Sequence, residues 1–189
     1  MKTTLILFIA ILIPWTQAHS TDGVFKNLVK TKLIFKEDPN PPKGYPPHIL
    51  LVYLHLENDN GPHLTWTCDP VSDIEAELFD SKGKPVPMPP SAASILSNTM
   101  LYSLPSHSNL DWMISSIGGI SMLGDTATNI ALIIGDQGWL IPRKTLSSYS
   151  LRLQVKGIPY ARRLETRSDF KKLGGKVFFE IPLTPIKLQ

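Results

Sequence analysis

The clearest segments of the chain alternate apolar and polar residues, which is the period of a β-strand with one buried face. In residues 49–57 (ILLVYLHLE), Tyr53 and His55 lie on one face of such a strand. The opposite face is wholly apolar and consists of Leu50, Val52, Leu54 and Leu56. The pattern predicts that this apolar face belongs to the core.

A second alternating segment covers residues 74–79 (IEAELF) and is followed by the turn sequence Asp80-Ser81-Lys82-Gly83-Lys84. Short polar residues around a glycine are typical of a turn between antiparallel strands. We therefore predict a hairpin that leads into Pro85-Val86. The apolar residues of the first strand, expected in the core, are Ile74, Ala76 and Leu78.

Proline (17 residues) and glycine (12 residues) separate further short apolar runs, a punctuation that favours strands over long helices. The additional predicted strands are residues 28–36, 63–67, 99–104, 129–135, 149–156 and 175–183. Asn60-Gly61 tolerates positive φ and predicts a hairpin between 49–57 and 63–67. This spacing predicts an all-β fold in which two antiparallel sheets form one sandwich.

The run LHLENDNGPHLTW, followed by IEAELFDSKGKPVP, resembles secreted immunoglobulin-like and fibronectin type III-like sandwiches. A strand ending in Glu-Asn before a glycine turn, and the later Asp-x-x-Gly-Lys-x-Val hairpin, carry the resemblance. Residues 49–88 are also similar to bacterial proteinase inhibitors of that fold, but no inhibitory motif carries over. The chain departs from antibody domains, which bridge their sheets with two cysteines, because it holds only Cys68.

Residues 105–128 (PSHSNLDWMISSIGGISMLGDTAT) carry almost no charge and interrupt the strand pattern. They predict a long apolar loop or one short helix over 109–117, ended by Gly118-Gly119. Such apolar side chains either fold back over one end of the sandwich or form a binding patch. The candidate binding residues of this segment are Trp112, Met113, Ile117 and Met122.

The first eighteen residues have the pattern of a secretory signal peptide: Lys2, an apolar run from Leu5 to Trp15, and a small-residue ending at Ala18. The apolar run is shorter than the roughly 20 residues that a membrane-spanning helix requires. We predict cleavage after Ala18, secretion or export to a periplasm, and one domain over residues 19–189 without a transmembrane segment.

The charge and the cysteine content of the chain limit which partners and which disulfides are expected. Loss of Lys2 lowers the formal net charge from +3 to +2, and the remaining basic residues are interspersed with acids, so nucleic acid is not an expected partner. A lone Cys68 forms no internal disulfide. We expect it to be a buried, inert thiol, with an intermolecular disulfide as the alternative.

The histidines suggest one metal hypothesis. His55 and His63 would face each other across the Asn60-Gly61 hairpin, and with Cys68 they would form a partial copper or zinc site. Histidines on a solvated face are the simpler interpretation, and we predict no metal and no cofactor. Hydrolase and phosphate-binding motifs are missing from the sequence, so we predict no catalytic residues.

These observations predict an exported binding or accessory module that recognises a protein or a surface polymer. The alternative is a structural or envelope-associated protein that assembles through its sheet edges. A hydrolase or metalloprotein is the third hypothesis. The sequence leaves the oligomeric state open.

Overall fold

The computed structural model describes residues 29–38, 40–41, 43, 47–88, 99–115, 128–160 and 177–189. Within them the chain forms strands and a single 3₁₀ helix, Arg143–Ser148, which confirms the predicted all-β class. Among the described residues, no helix has both the length and the apolar composition that spanning a bilayer requires. The predicted signal peptide, and with it Ala18, lies outside the described residues.

The described residues form ten strands. In chain order they are β1 Lys30–Glu37, β2 Leu50–Asn58, β3 Leu64–Cys68, β4 Ile74–Phe79, β5 Met100–Leu104, β6 Ser108–Met113, β7 Asn129–Ile134, β8 Gln137–Pro142, β9 Ser150–Tyr160 and β10 Val177–Pro185. The segments predicted from alternation coincide with β1 to β5, β7, β9 and β10. The strands β6 and β8 were not predicted.

A three-stranded antiparallel sheet has the order β1-β2-β6. The predicted alternation in β2 is confirmed, because its four apolar residues are fully buried while Tyr53 and His55 are half-buried on the other face. The inward residues of β1 are Leu33 and Phe35. One face of this sheet therefore packs on the core and the other faces outward.

A larger sheet has the order β10-β9-β3-β5, and β4 also pairs with β9. Strands β3 and β4 lie against β9 one after the other, Thr67 opposite Ile158 and Ile74 opposite Val155. Between them residues 69–73 leave the strand, and the Asp73 carbonyl accepts a 2.7 Å hydrogen bond from the Lys156 amide. The long strand β9 therefore pairs along one edge with two short strands, β3 and β4.

The hairpin β7–β8 turns at Gly135, whose φ of +61° is the left-handed conformation that glycine adopts without cost. Two isolated bridges, Ile49 with Ala131 and Ser115 with Ile134, attach this hairpin to the three-stranded sheet. A Cβ at Gly135 would lie 2.9 Å from the Val71 carbonyl oxygen. The hairpin tip therefore packs closely on the 69–73 segment.

Buried side chains of all three sheets form one hydrophobic cluster. Its aromatic part centres on Trp66, which stacks on Tyr102 with ring centroids 5.6 Å apart and meets Trp112 at 6.1 Å and Phe179 at 5.8 Å. Trp112 belongs to the three-stranded sheet, and the other three rings belong to the β10-β9-β3-β5 sheet. Below, these two are called the two larger sheets. The predicted core residues of β4 belong to the same cluster and are buried.

Two expectations about local structure are wrong. Residues 108–113 form β6 and not the start of a helix, because their backbone pairs with β2 over its whole length. The Asn60-Gly61 turn does not join a hairpin, since β2 and β3 belong to different sheets. Among the described residues, positive φ occurs only at Gly83, Gly135 and His107. Without positive φ at Asn60 and Gly61, the chain crosses from one sheet to the other.

The hairpin predicted after β4 is confirmed. The Asp80 amide donates to the Lys84 carbonyl at 2.9 Å, Gly83 has a φ of +70°, and the Val86 amide donates to the Leu78 carbonyl at 2.8 Å. The Asp80 carboxylate also accepts hydrogen bonds from the Lys84 and Lys82 amides, which lower the pKa of this carboxyl group. Local turn chemistry is sufficient to fix this connection.

Candidate functional site

Two of the four candidate binding residues lie within the described part of the chain, next to each other in β6. Trp112 is only 5 % exposed, and its ring centroid lies 4.4 Å from that of Tyr102. Its side chain belongs to the core and is not accessible to a partner. Met113 points the other way and is 46 % exposed. Ile117 and Met122 lie outside the described residues.

The outward face that Met113 shares consists of rows of residues directly opposite one another on β1, β2 and β6. One row contains Lys32, His55 and Asp111. His55 Nδ1 lies 2.5 Å from Asp111 Oδ1, which joins β2 to β6 across the sheet surface. This row is polar and charged across all three strands.

The next row on the same face is apolar. Ile34 lies opposite Tyr53, and Tyr53 lies opposite Met113, so one apolar side chain from each strand faces outward in a line. Ile34 and Tyr53 are half-buried and Met113 is exposed. We call these three residues the Tyr53 row. An apolar line across a solvent-facing sheet surface is a feature of binding surfaces.

Beyond the Tyr53 row, Lys36 lies opposite Leu51. The Lys36 ammonium lies 5.3 Å from the centroid of the Tyr53 ring, within the range of a cation–π contact. Leu51 and Leu140 pack against a small second cluster that joins the sheet to the β7–β8 hairpin and consists of Ile49, Ala131 and Ile133. The outer face is therefore apolar toward the hairpin and charged toward the opposite end.

At the charged end, the Lys30 ammonium bonds the Asp59 carboxylate and lies 3.9 Å from Glu57. The hydrogen bond with Asp59 raises the pKa of Lys30, and its counterpart lowers the pKa of Asp59. Both side chains are largely exposed, so their pairing contributes little to stability. The pairing does keep opposite charges next to each other at this end of the face.

A separate polar cluster joins β1 to the 3₁₀ helix. Glu37 accepts a hydrogen bond from Arg143 Nη2 at 3.0 Å, and its other oxygen lies 2.7 Å from His48 Nδ1. Burial alone would raise the pKa of Glu37, but the contacts with His48 and Arg143 outweigh it and hold the pKa below 4.5. Glu37 therefore contacts both of the other side chains at once, and we call these three residues the Glu37 clamp.

A cavity of about 510 Å³ lies beside this clamp, and the described residues that line it are Thr128, Pro142, Arg143 and Lys144. Its lining in the described part of the chain offers two cationic side chains at the start of the 3₁₀ helix. Arg143 is already paired with Glu37. We therefore place the candidate site on the outer face and not in this cavity.

Cys68 is fully buried in the core cluster, as expected. Burial raises the pKa of its thiol to about 12, and Asp73 and Asp69 add to the effect, so at neutral pH the nucleophilic thiolate is suppressed. His55 and His63 do not face each other, because His63 bonds Ser103 in the other sheet at 2.8 Å. The described residues contain no group of three or more possible metal ligands.

Two members of the Tyr53 row were not predicted as site residues. The alternation in β2 placed Tyr53 on the outward face, but it gave no information about which strands lie beside it. The register with Ile34 and Met113 depends on pairing between strands that are distant in sequence. A sequence signal was present in Ile34, an apolar residue between the lysines of β1.

Comparison with known proteins returns no match: no protein-family model fits the chain, and neither a curated sequence nor a solved structure is significantly similar to it.

Proposed function

We propose that this chain is an exported binding module that recognises a protein or a surface polymer through the outer face of the β1-β2-β6 sheet. The observation that carries the proposal is the Tyr53 row, in which each of the three strands contributes one apolar side chain to a line that has the polar row of Lys32, His55 and Asp111 beside it. Of the two predicted candidate residues that lie in the described part of the chain, Met113 serves this role.

The chemistry of the face supports recognition of an extended partner. Tyr53 provides a large apolar surface with a polar hydroxyl, a combination enriched at protein interfaces. The paired His55 and Asp111, together with Lys32, provide hydrogen-bond donors and acceptors on one side of it. An apolar centre with a polar border is the usual composition of a recognition surface.

We further propose that the two larger sheets pack face to face as one immunoglobulin-like sandwich. The shared hydrophobic cluster supports this arrangement, because inward residues of both sheets contribute to it. In such a sandwich the outer face of one sheet is free for a partner, while the loops provide the alternative site. Export rests on the signal-peptide pattern of residues 1–18.

A site-specific photo-crosslinker tests the proposal. Benzoylphenylalanine is placed at Met113 and, in a control variant, at Lys82 in the exposed turn after β4, and each protein is irradiated on the cells that secrete it. We expect a discrete higher-mass adduct from position 113 alone, lost when Tyr53→Ser is added. Equal adducts from both positions, or none from position 113, contradict the proposal.

A further inference from the structure

The edges of the sheets differ in how they are protected against pairing with another chain. Exposed edge strands are normally protected by charge, by proline, by irregular geometry or by a covering segment, because their free N–H and C=O groups can pair with another strand. Leaving aside the β7–β8 hairpin, the described residues include five strands with one edge unpaired by a neighbouring strand: β1, β4, β5, β6 and β10.

Four of these edges carry such protection. The outward side chains of β1 include three lysines, and Phe35 is bridged by Leu188. Strand β10 contains Glu180 and two prolines, and its register shifts between Ile181 and Thr184.

Strand β6 carries the charged residue Asp111, which pairs with His55. The edge of β4 is covered by the side chain of Gln137.

Strand β5 carries none of these features. Residues 99–106 (TMLYSLPS) contain no charged side chain, and no proline lies within the strand itself. Among the described residues β5 pairs only with β3, so its second edge has no strand partner there. Met100 and Leu101 point to opposite faces and are 48 % and 45 % exposed. Each face of this edge strand therefore has an exposed apolar side chain.

We propose that β5 is a homodimerisation edge that pairs antiparallel with β5 of a second copy of this chain. A second copy fits because the edge is uncharged, so no like charges meet at the twofold axis. All five residues of the strand pair only when the central residue, Tyr102, lies on that axis. The inference is independent of the Tyr53 row, which lies on the other sheet.

This register makes specific side chains neighbours. Residues directly opposite each other in an antiparallel pair point to the same face. Leu101 of one copy then lies opposite Ser103 of the other, on the outward face, and Met100 lies opposite Leu104 on the core side. The pairing joins the β10-β9-β3-β5 sheets of the two copies into one continuous sheet and covers both exposed apolar residues of β5.

The test is the sedimentation equilibrium of the mature chain between roughly 5 and 500 µM, a range suited to a small interface. We expect a reversible monomer–dimer equilibrium. Leu101→Lys and, separately, Ser103→Glu each weaken it at least about tenfold, which is about 1.4 kcal/mol. Leu183→Lys, which changes a similarly exposed leucine of β10, leaves it unchanged.

Mixing the two variants tests the register. An equimolar mixture of Leu101→Lys and Ser103→Glu places a lysine opposite a glutamate in the heterodimer, so we expect the mixture to dimerise more tightly than either variant alone. Three outcomes overturn the proposal: a wild-type chain that stays monomeric throughout the range, equal weakening by Leu183→Lys, or a mixture no tighter than its components.

Discussion

Gln137 pairs with the backbone of Ala76 through both ends of its side-chain amide. Oε1 accepts a hydrogen bond from the Ala76 amide at 2.6 Å, and Nε2 donates to the Ala76 carbonyl at 3.1 Å. The side chain therefore takes the place that a neighbouring strand would occupy beside β4. The same contact connects the first residue of β8 to the larger sheet.

Gln137→Ala should lower the free energy of unfolding by about 1–3 kcal/mol, because it leaves a backbone donor and acceptor without their partner. Gln137→Glu retains the acceptor but loses the donor when ionised. We expect its deficit relative to the wild type to be smaller at pH 4 than at pH 7, since a protonated carboxyl group regains an O–H donor. Urea unfolding at both pH values measures this, and an equal deficit at the two contradicts it.

Neighbouring residues of β6 should respond in opposite ways to truncation. Trp112→Ala removes a buried ring that contacts Trp66 and Tyr102, and should cost about 3–5 kcal/mol of stability. Met113→Ala removes an exposed side chain and should change stability by no more than about 0.5 kcal/mol. Denaturant unfolding followed by circular dichroism separates the two, and similar costs would show that the assignment of faces is wrong.

Two glycines should differ in their sensitivity to alanine. A Cβ at Gly157 would lie 2.6 Å from the Thr67 carbonyl oxygen, so β9 and β3 would have to separate. A Cβ at Gly83 meets nothing within 4 Å, and there the cost of about 1–2 kcal/mol comes from its positive φ alone. We expect Gly157→Ala to lower the thermal midpoint more than Gly83→Ala. Gly83→Asn should be milder still, because asparagine tolerates this conformation.

The Glu37 clamp should make the free energy of unfolding depend on pH in the acid range. The pKa of Glu37 is lower in the folded chain, so below its ordinary value of 4.5 the unfolded state binds more protons. The stabilisation is therefore present above about pH 4.5 and is lost as the pH falls through the folded pKa. Glu37→Gln should be about 1–2 kcal/mol less stable than the wild type at pH 7.

The difference between Glu37→Gln and the wild type should narrow toward pH 3, as measured by urea midpoints across the range. Asp136→Asn is the control and should follow the wild type, because Asp136 is exposed and its side chain bonds none of the described residues. A difference that stays constant with pH contradicts the role assigned to the clamp.

The strands that could be predicted are those whose apolar residues alternate without interruption. In β2 and β4 every second side chain is buried, and the pattern alone is enough to locate them. Strand β6 was missed because it is short and its outward positions include Asn109 and Asp111, which interrupt the apolar run. Strand β8 was missed because Gly138 and Pro142 are typical of turns.

Pairing between strands could not be predicted from local pattern. The Asn60-Gly61 sequence is compatible with a hairpin, but the side chain of Asn58 fixes a different turn. Its amide nitrogen donates to the Pro62 and Pro105 carbonyls at 2.9 and 3.1 Å, and its oxygen accepts from the Gly61 amide at 2.8 Å. This buried residue joins the end of β2 to the end of β5, a contact that alternation does not encode.

The position of β9 has a consequence for the order in which the chain can assemble. Strands β3 and β4, from the first half of the sequence, find their common neighbour only in residues 150–160. A ribosome must therefore synthesise most of the polypeptide before the larger sheet can close. Until residues 150–160 have left the ribosome, the edges of β3 and β4 have no β9 to pair with, so this sheet cannot form while the first half of the chain is emerging.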